Sequence, residues 1–140
     1  MTVIMKKVKK IVSVFGNEVD ADDNTALRCL PMLRQKFPTI EFLVQDPTES
    51  LEPAGDPWII IDTAIGTDHV VVINSLDDLE YVKGSSVHDF DVYMELRLRA
   101  KLAPLPQLKI ILVPQGDDPV HASDHVAEIL DKLNSSRMST

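Results

Sequence analysis

The sequence predicts an α/β fold: three layers, α/β/α, around a mostly parallel, twisted five-stranded sheet with one antiparallel strand. Three observations carry that prediction. Strand-like runs alternate with helix-like segments along 140 residues, the pattern of a sheet with crossover helices. The runs PWIII at 57–61 and HVVVI at 69–73 are continuously apolar, as strands buried on both faces require. A chain of this length suits one domain and buries roughly two-thirds of its unfolded surface.

The elements follow in order. Residues 9–15, ending KIVSVF, read as a first strand that stops at Gly16-Asn17. Residues 24–37 show helical spacing, with Leu27, Leu30 and Leu33 near one face. Pro31 lacks an amide hydrogen, so it kinks that helix or starts a new turn. Residues 40–44 form a second strand, broken by Asp46-Pro47, and 48–51 fit one short helical turn. The third strand is PWIII. The fourth is HVVVI, joined to the third by too few residues for a crossover helix. These two are therefore antiparallel neighbours, or the fourth is an edge strand.

A helix at 89–102 carries Val92, Leu96 and Leu98 among its apolar positions, and LKIILV at 108–113 is the last strand. Asp117-Asp118-Pro119 reads as a helix start, with an acidic cap and a proline in the first turn. The closing helix runs to about Leu133, with Val126, Ile129, Leu130 and Leu133 on one stripe. A single domain is expected over residues 1–134, with 135–140 as a frayed polar tail.

Composition narrows the function. Hydrophobic residues at 44% and charged residues at 26% are ordinary for a globular chain and exclude disorder. Fourteen basic residues against twenty-two acidic ones give a net charge of −8, which repels nucleic acid and anionic lipid. The lone Cys29 excludes an internal disulfide framework and a cysteine-rich zinc site. No apolar run reaches the roughly 18 residues of a membrane-spanning helix. The lysines near the start precede no apolar h-region, so no signal peptide is expected and the location is expected to be cytoplasmic.

In open parallel sheets, ligands sit beyond the carboxyl ends of the strands. The first strand leads there to Asn17, Asp22 and Asp23, the second to Asp46, and the third to Asp62. The segment Ser86-Val87-His88 precedes the helix before the last strand. If these loops share one rim, Asp23, Asp62 and His88 converge. One imidazole with two carboxylates suits a divalent transition metal such as nickel or zinc, or acid–base hydrolysis. Crowded carboxylates raise at least one pKa unless a cation sits between them.

Simpler roles compete. Asp22-Asp23 suits a helix cap, Asp62 a strand end, Ser86-x-His88 a further cap, Asp46-Pro47 a turn, and Cys29 a core thiol. His121 and His125 have the spacing of a zinc-protease pair, but residue 122 is alanine, so the glutamate base of H-E-x-x-H is missing. Asp77, Asp78 and Glu80 read as a solvated face. The sequence holds no G-x-G-x-x-G, no G-x-x-x-x-G-K-[ST] and no G-x-S-x-G, which removes dinucleotide, P-loop and serine-hydrolase signatures.

The ordered set resembles the hydrogenase maturation proteases, peptidases that trim the large subunit of [NiFe] hydrogenases, and looks most like their short archaeal members. The resemblance rests on Gly16-Asn17 followed by Asp22-Asp23; Trp58-Ile59-Ile60-Ile61-Asp62-Thr63-Ala64; Ser86-Val87-His88 before a leucine-bearing helix; and a final strand ending Val113-Pro114-Gln115. It spans about residues 9–130. It implies that Asp23, Asp62 and His88 are both the catalytic and the metal-contacting residues, with Asp22, Asp46, Asn17 and Ser86 secondary. It implies an endopeptidase that removes a C-terminal extension from the precursor of the [NiFe] hydrogenase large subunit after nickel insertion. Nickel is then recognised on the substrate, and no tightly bound cofactor is expected.

Two positions depart from the family pattern. Asn24-Thr25-Ala26 stands where many members have glycine soon after the acid pair, and Thr63 separates Asp62 from Ala64. The alternative reading is a non-catalytic metal-binding or chaperone-like relative that binds the same precursor without cutting it. A third is a small-molecule-binding α/β domain whose acids are only caps.

Overall fold

The structure, a computed structural model, describes residues 10–16, 24–46, 49, 51–78 and 87–138, with the side chains of 87–93 and 134–138 outside the description. Five strands form one sheet: β1 (Lys10–Phe15), β2 (Ile40–Gln45), β3 (Trp58–Ala64), β4 (Val71–Ile73) and β5 (Leu108–Pro114). Their spatial order is β2-β1-β3-β5-β4. All neighbours are parallel except β4, which runs antiparallel to β5. The helices are α1 (Thr25–Arg28), α2 (Leu30–Lys36), α3 (Val87–Leu102) and α4 (Pro119–Met138).

β3 is central because its sequence tolerates no water. Trp58, Ile59, Ile60 and Ile61 are all buried, two on each face. Ile59 and Ile61 join Val12, Val14, Ile111 and Val113 under α1, α2 and α4, where Ala26, Leu33, Val126 and Leu130 complete one core. Trp58 and Ile60 join Phe15, Ile110 and Leu112 on the other face, where Leu96 of α3 is buried. The three-layer expectation is met.

Two polar groups inside the second core satisfy each other. Trp58 Nε1 donates to Ser13 Oγ at 2.8 Å, and both residues are fully buried. Phe15 meets the Trp58 ring edge-on, with centroids 6.1 Å apart.

β4 is an edge strand, and its partner is β5 rather than β3. Both flanks of β3 are already taken by parallel ladders to β1 and β5, so a short connection cannot place β4 beside it. The first helix divides at Cys29, and Pro31 opens α2 in its first turn, where a missing N–H costs no intrahelical bond. α3 starts at Val87, two residues before the expected start. Leu98, expected among its apolar positions, is half-exposed, because residues two apart on a helix cannot share the face that Leu96 buries. α4 continues past Leu133 to Met138, since neither glycine nor proline follows to stop it. No helix among the described residues is long and apolar enough to cross a membrane.

Candidate functional site

The chain leaves β1 for α1 on one face of the sheet, and α3, on the way from β3 to β5, covers the other. The carboxyl ends of β1 and β3 are therefore a topological switch point, the place where open α/β sheets leave a crevice. Asp62 lies there, paired across the sheet with Leu112 of β5 and only 7% exposed. Strand alternation puts it on the face of Trp58, Ile60 and Ala64. Its Oδ1 accepts the Thr63 N–H at 2.9 Å, which fixes the carboxylate's orientation.

Thr63 points to the opposite face and holds the start of α1. Its hydroxyl accepts the Ala26 N–H at 2.9 Å and donates to Asn24 Oδ1 at 2.7 Å. Asn24 is the N-cap of α1: the same Oδ1 accepts the Leu27 N–H at 3.0 Å. Its Nδ2 donates back to the Phe15 carbonyl at 3.5 Å. Asn24 thus joins the end of β1, the end of β3 and the first turn of α1. Gly16 is required beside it, because a Cβ there would come within 2.6 Å of Asn24 Nδ2 and 2.9 Å of Leu27 Cδ1.

Further bonds close the rim. Gly16 N–H donates to Gln45 C=O at 3.0 Å, and Gln115 N–H to Ala64 C=O at 2.9 Å. Gly116 N–H donates to Thr25 Oγ1 at 3.0 Å from a turn in which Gly116 has φ +85°, a conformation glycine adopts without strain.

The sequence-derived residues fare differently. Asp62, expected just beyond a strand ending at Ile61, lies inside β3, which continues through Thr63 to Ala64. Asp46 follows edge strand β2, with β1 between it and β3, so it stands about 10 Å across the sheet from β3. It forms the expected turn, its carbonyl accepting the Glu49 N–H at 3.0 Å. Asn17, Asp22, Asp23 and Ser86 lie outside the described residues, as do Thr48 and Ser50 of the expected 48–51 turn. His88 is the second residue of α3, with its side chain outside the description. Among the described residues, no three His, Cys, Asp or Glu side chains are grouped to hold a metal ion.

Cys29 is the expected core thiol. It is fully buried, and its Sγ donates to Pro119 C=O at 3.6 Å. Burial, reinforced by Asp117, pushes its pKa up to about 11, so it is no nucleophile at neutral pH. A groove of about 330 Å³ lined by Asn74, Asp77, Arg97, Leu105 and Gln107 opens at the amino end of β5, away from Asp62.

Sequence reasoning missed the role of Asn24 and Thr63, which it read only as departures from a family pattern. The available signal was local: an asparagine immediately before a helical segment is a favoured N-cap.

No family model matches the chain, and no curated protein matches it. A solved structure described as an uncharacterized protein from Wolinella succinogenes aligns with a TM-score of 0.47 at 14% identity, covering 94% of this chain and 99% of that one.

Proposed function

We propose that this protein is an endopeptidase that removes a C-terminal extension from a nickel-loaded [NiFe] hydrogenase large-subunit precursor, and that it acts in the cytoplasm. One observation supports the reading above the others. Asn24, the residue after the acid pair, is hydrogen-bonded at 2.7 Å to Thr63, the residue after Asp62. Two of the three stretches that bear the proposed ligands are therefore tied together at the switch point of the sheet.

In this reading Asp23, Asp62 and His88 supply two carboxylates and one imidazole, a donor set suited to nickel. The nickel arrives on the substrate, held partly by the substrate's own thiolates. Three protein donors leave coordination positions open for that sharing, so binding reports whether the precursor is loaded. The Thr63 N–H bond to Asp62 aims one of the donors, as outer partners of ligating carboxylates do. Held by these residues, the substrate's nickel would supply Lewis-acid chemistry, polarising the scissile carbonyl or lowering the pKa of a water.

The test is incubation with nickel-loaded and nickel-free precursor. The expected result is cleavage of the loaded form alone, lost in His88→Ala and Asp23→Asn variants whose circular dichroism is unchanged. Tight binding of loaded precursor without cleavage would replace this reading with a non-catalytic relative. Full activity of both variants would remove the site.

A further inference from the structure

A second constellation lies on the other face of the sheet. Asp117, His121 and His125 follow one another at intervals of four residues, where α4 begins. That spacing sets side chains one above another on a helix. Both carboxylate oxygens of Asp117 stand 3.2 Å from His121 Nδ1. With Nδ1–H donated to the acid, the lone pair of Nε2 is left for another partner. The two imidazole centroids are 4.5 Å apart. Two rings bound side by side to one ion, with metal–nitrogen distances of about 2.0–2.1 Å, have centres about 4.5–5 Å apart, so little movement is needed.

The surroundings favour a cation. Residues 117–131 contain Asp117, Asp118, Asp124, Glu128 and Asp131 but no lysine or arginine. Only Asp124 is engaged from outside that stretch among the described ion pairs, by Lys36 at 3.1 Å. His121 is exposed and His125 half-buried, so solvent ions reach both. The helix turns Ala122, Val126 and Leu130 into the first core, whereas Asp62 belongs to the opposite face, so this place is separate from the proposed cleavage site.

We propose that His121 and His125 chelate a transition-metal dication such as Zn²⁺ or Ni²⁺, with Asp117 fixing the tautomer of His121. The protein supplies two ligands, and water completes the coordination. Such a site exchanges its metal readily and joins the first turns of α4 while occupied.

Calorimetric titration of the full chain with Zn²⁺ alone, in wild type and in the His88→Ala background, tests this. One equivalent should bind. His125→Ala should weaken it at least tenfold, Asp117→Asn on the order of tenfold, and Mg²⁺ should not compete. The imidazole NMR signals of His121 and His125 should shift, while that of His69, which pairs with Asp68, should not. Unchanged Zn²⁺ affinity in the double variant His121→Ala/His125→Ala, or imidazole signals that stay in place at one equivalent, would reduce the Asp117 contact to an ordinary ion pair and overturn the proposal. Zn²⁺ binding that needs His88 but not His125 would overturn it while leaving the cleavage site standing.

Discussion

The hydroxyl of Thr63 donates to Asn24 Oδ1 across 2.7 Å, although the two residues are 39 positions apart. Each directly follows a residue proposed as a ligand. A threonine after Asp62 supplies the hydroxyl that an asparagine after Asp23 requires, and the pair fastens α1 to the rim of the sheet.

Thr63→Val keeps the shape of the side chain but removes both bonds. The Ala26 N–H then loses its acceptor, and Asn24 loses its donor. We expect a loss of about 1–3 kcal/mol in chemical denaturation. Thr63→Ser should restore most of it. A double-mutant cycle with Asn24→Ala should show a coupling of about 0.5 kcal/mol or more, as for residues in one network. Strict additivity would mean that the two groups act separately. If the proposed function holds, Thr63→Val should also slow precursor cleavage more than its lost stability explains.

Gly16→Ala tests the close approach on the other side of Asn24. The new Cβ would lie 2.6 Å from Asn24 Nδ2 and 2.9 Å from two carbons of Leu27. Relief requires displacing the cap or the first apolar contact of α1, so we expect about 1–3 kcal/mol of destabilisation. In an Asn24→Ala background the penalty should shrink but persist, because Leu27 remains. A wild-type melting temperature for Gly16→Ala would show that the rim is looser than this.

The contrast between these residues and the strands explains what the sequence could disclose. Continuous apolar runs identify β3 and β5, because burial on both faces imposes composition directly. Pro31 marks the break between α1 and α2 for the same local reason. The choice of β5 over β3 as the partner of β4 was not legible, since it depends on which edges other strands leave open. Asp62 was legible as a polar residue following an apolar run, but the two further residues of β3 were not. The Asn24–Thr63 bond was not, because a lone threonine and a lone asparagine declare no partner until the chain has folded. Leu98 misled because helical periodicity over a few residues tolerates apolar side chains on the wet face.

The buried pair Trp58 and Ser13 offers a test of the second core. Ser13→Ala removes the acceptor of a fully buried indole N–H, and we expect it to cost about 1–3 kcal/mol. Trp58→Phe deletes the donor and leaves a void beside Phe15. The double variant should be less destabilised than the sum of the two, because no indole N–H then remains unpaired. Equilibrium denaturation monitored by far-ultraviolet circular dichroism measures all three, since one of the changes removes the fluorophore.

Cys29 should make stability depend on alkaline pH. Its thiol ionises at 9.0 in the unfolded chain and at about 11 in the folded protein. Between those values the unfolded state releases a proton that the native state keeps, so the unfolded state binds fewer protons and stability falls as pH rises. The contribution is fully present below pH 9 and lost through about pH 11. A shift of this size corresponds to on the order of 2 kcal/mol. Lysines and tyrosines titrate in the same range, so the informative quantity is the difference between wild type and Cys29→Ala. That difference should be constant from pH 7 to about 9 and then move in favour of the variant. In parallel, iodoacetamide at pH 8 should label Cys29 only at the rate at which the α1–α2 region opens. Rapid labelling of the native protein, or parallel pH profiles for the two proteins, would contradict a thiol held neutral beneath Pro119.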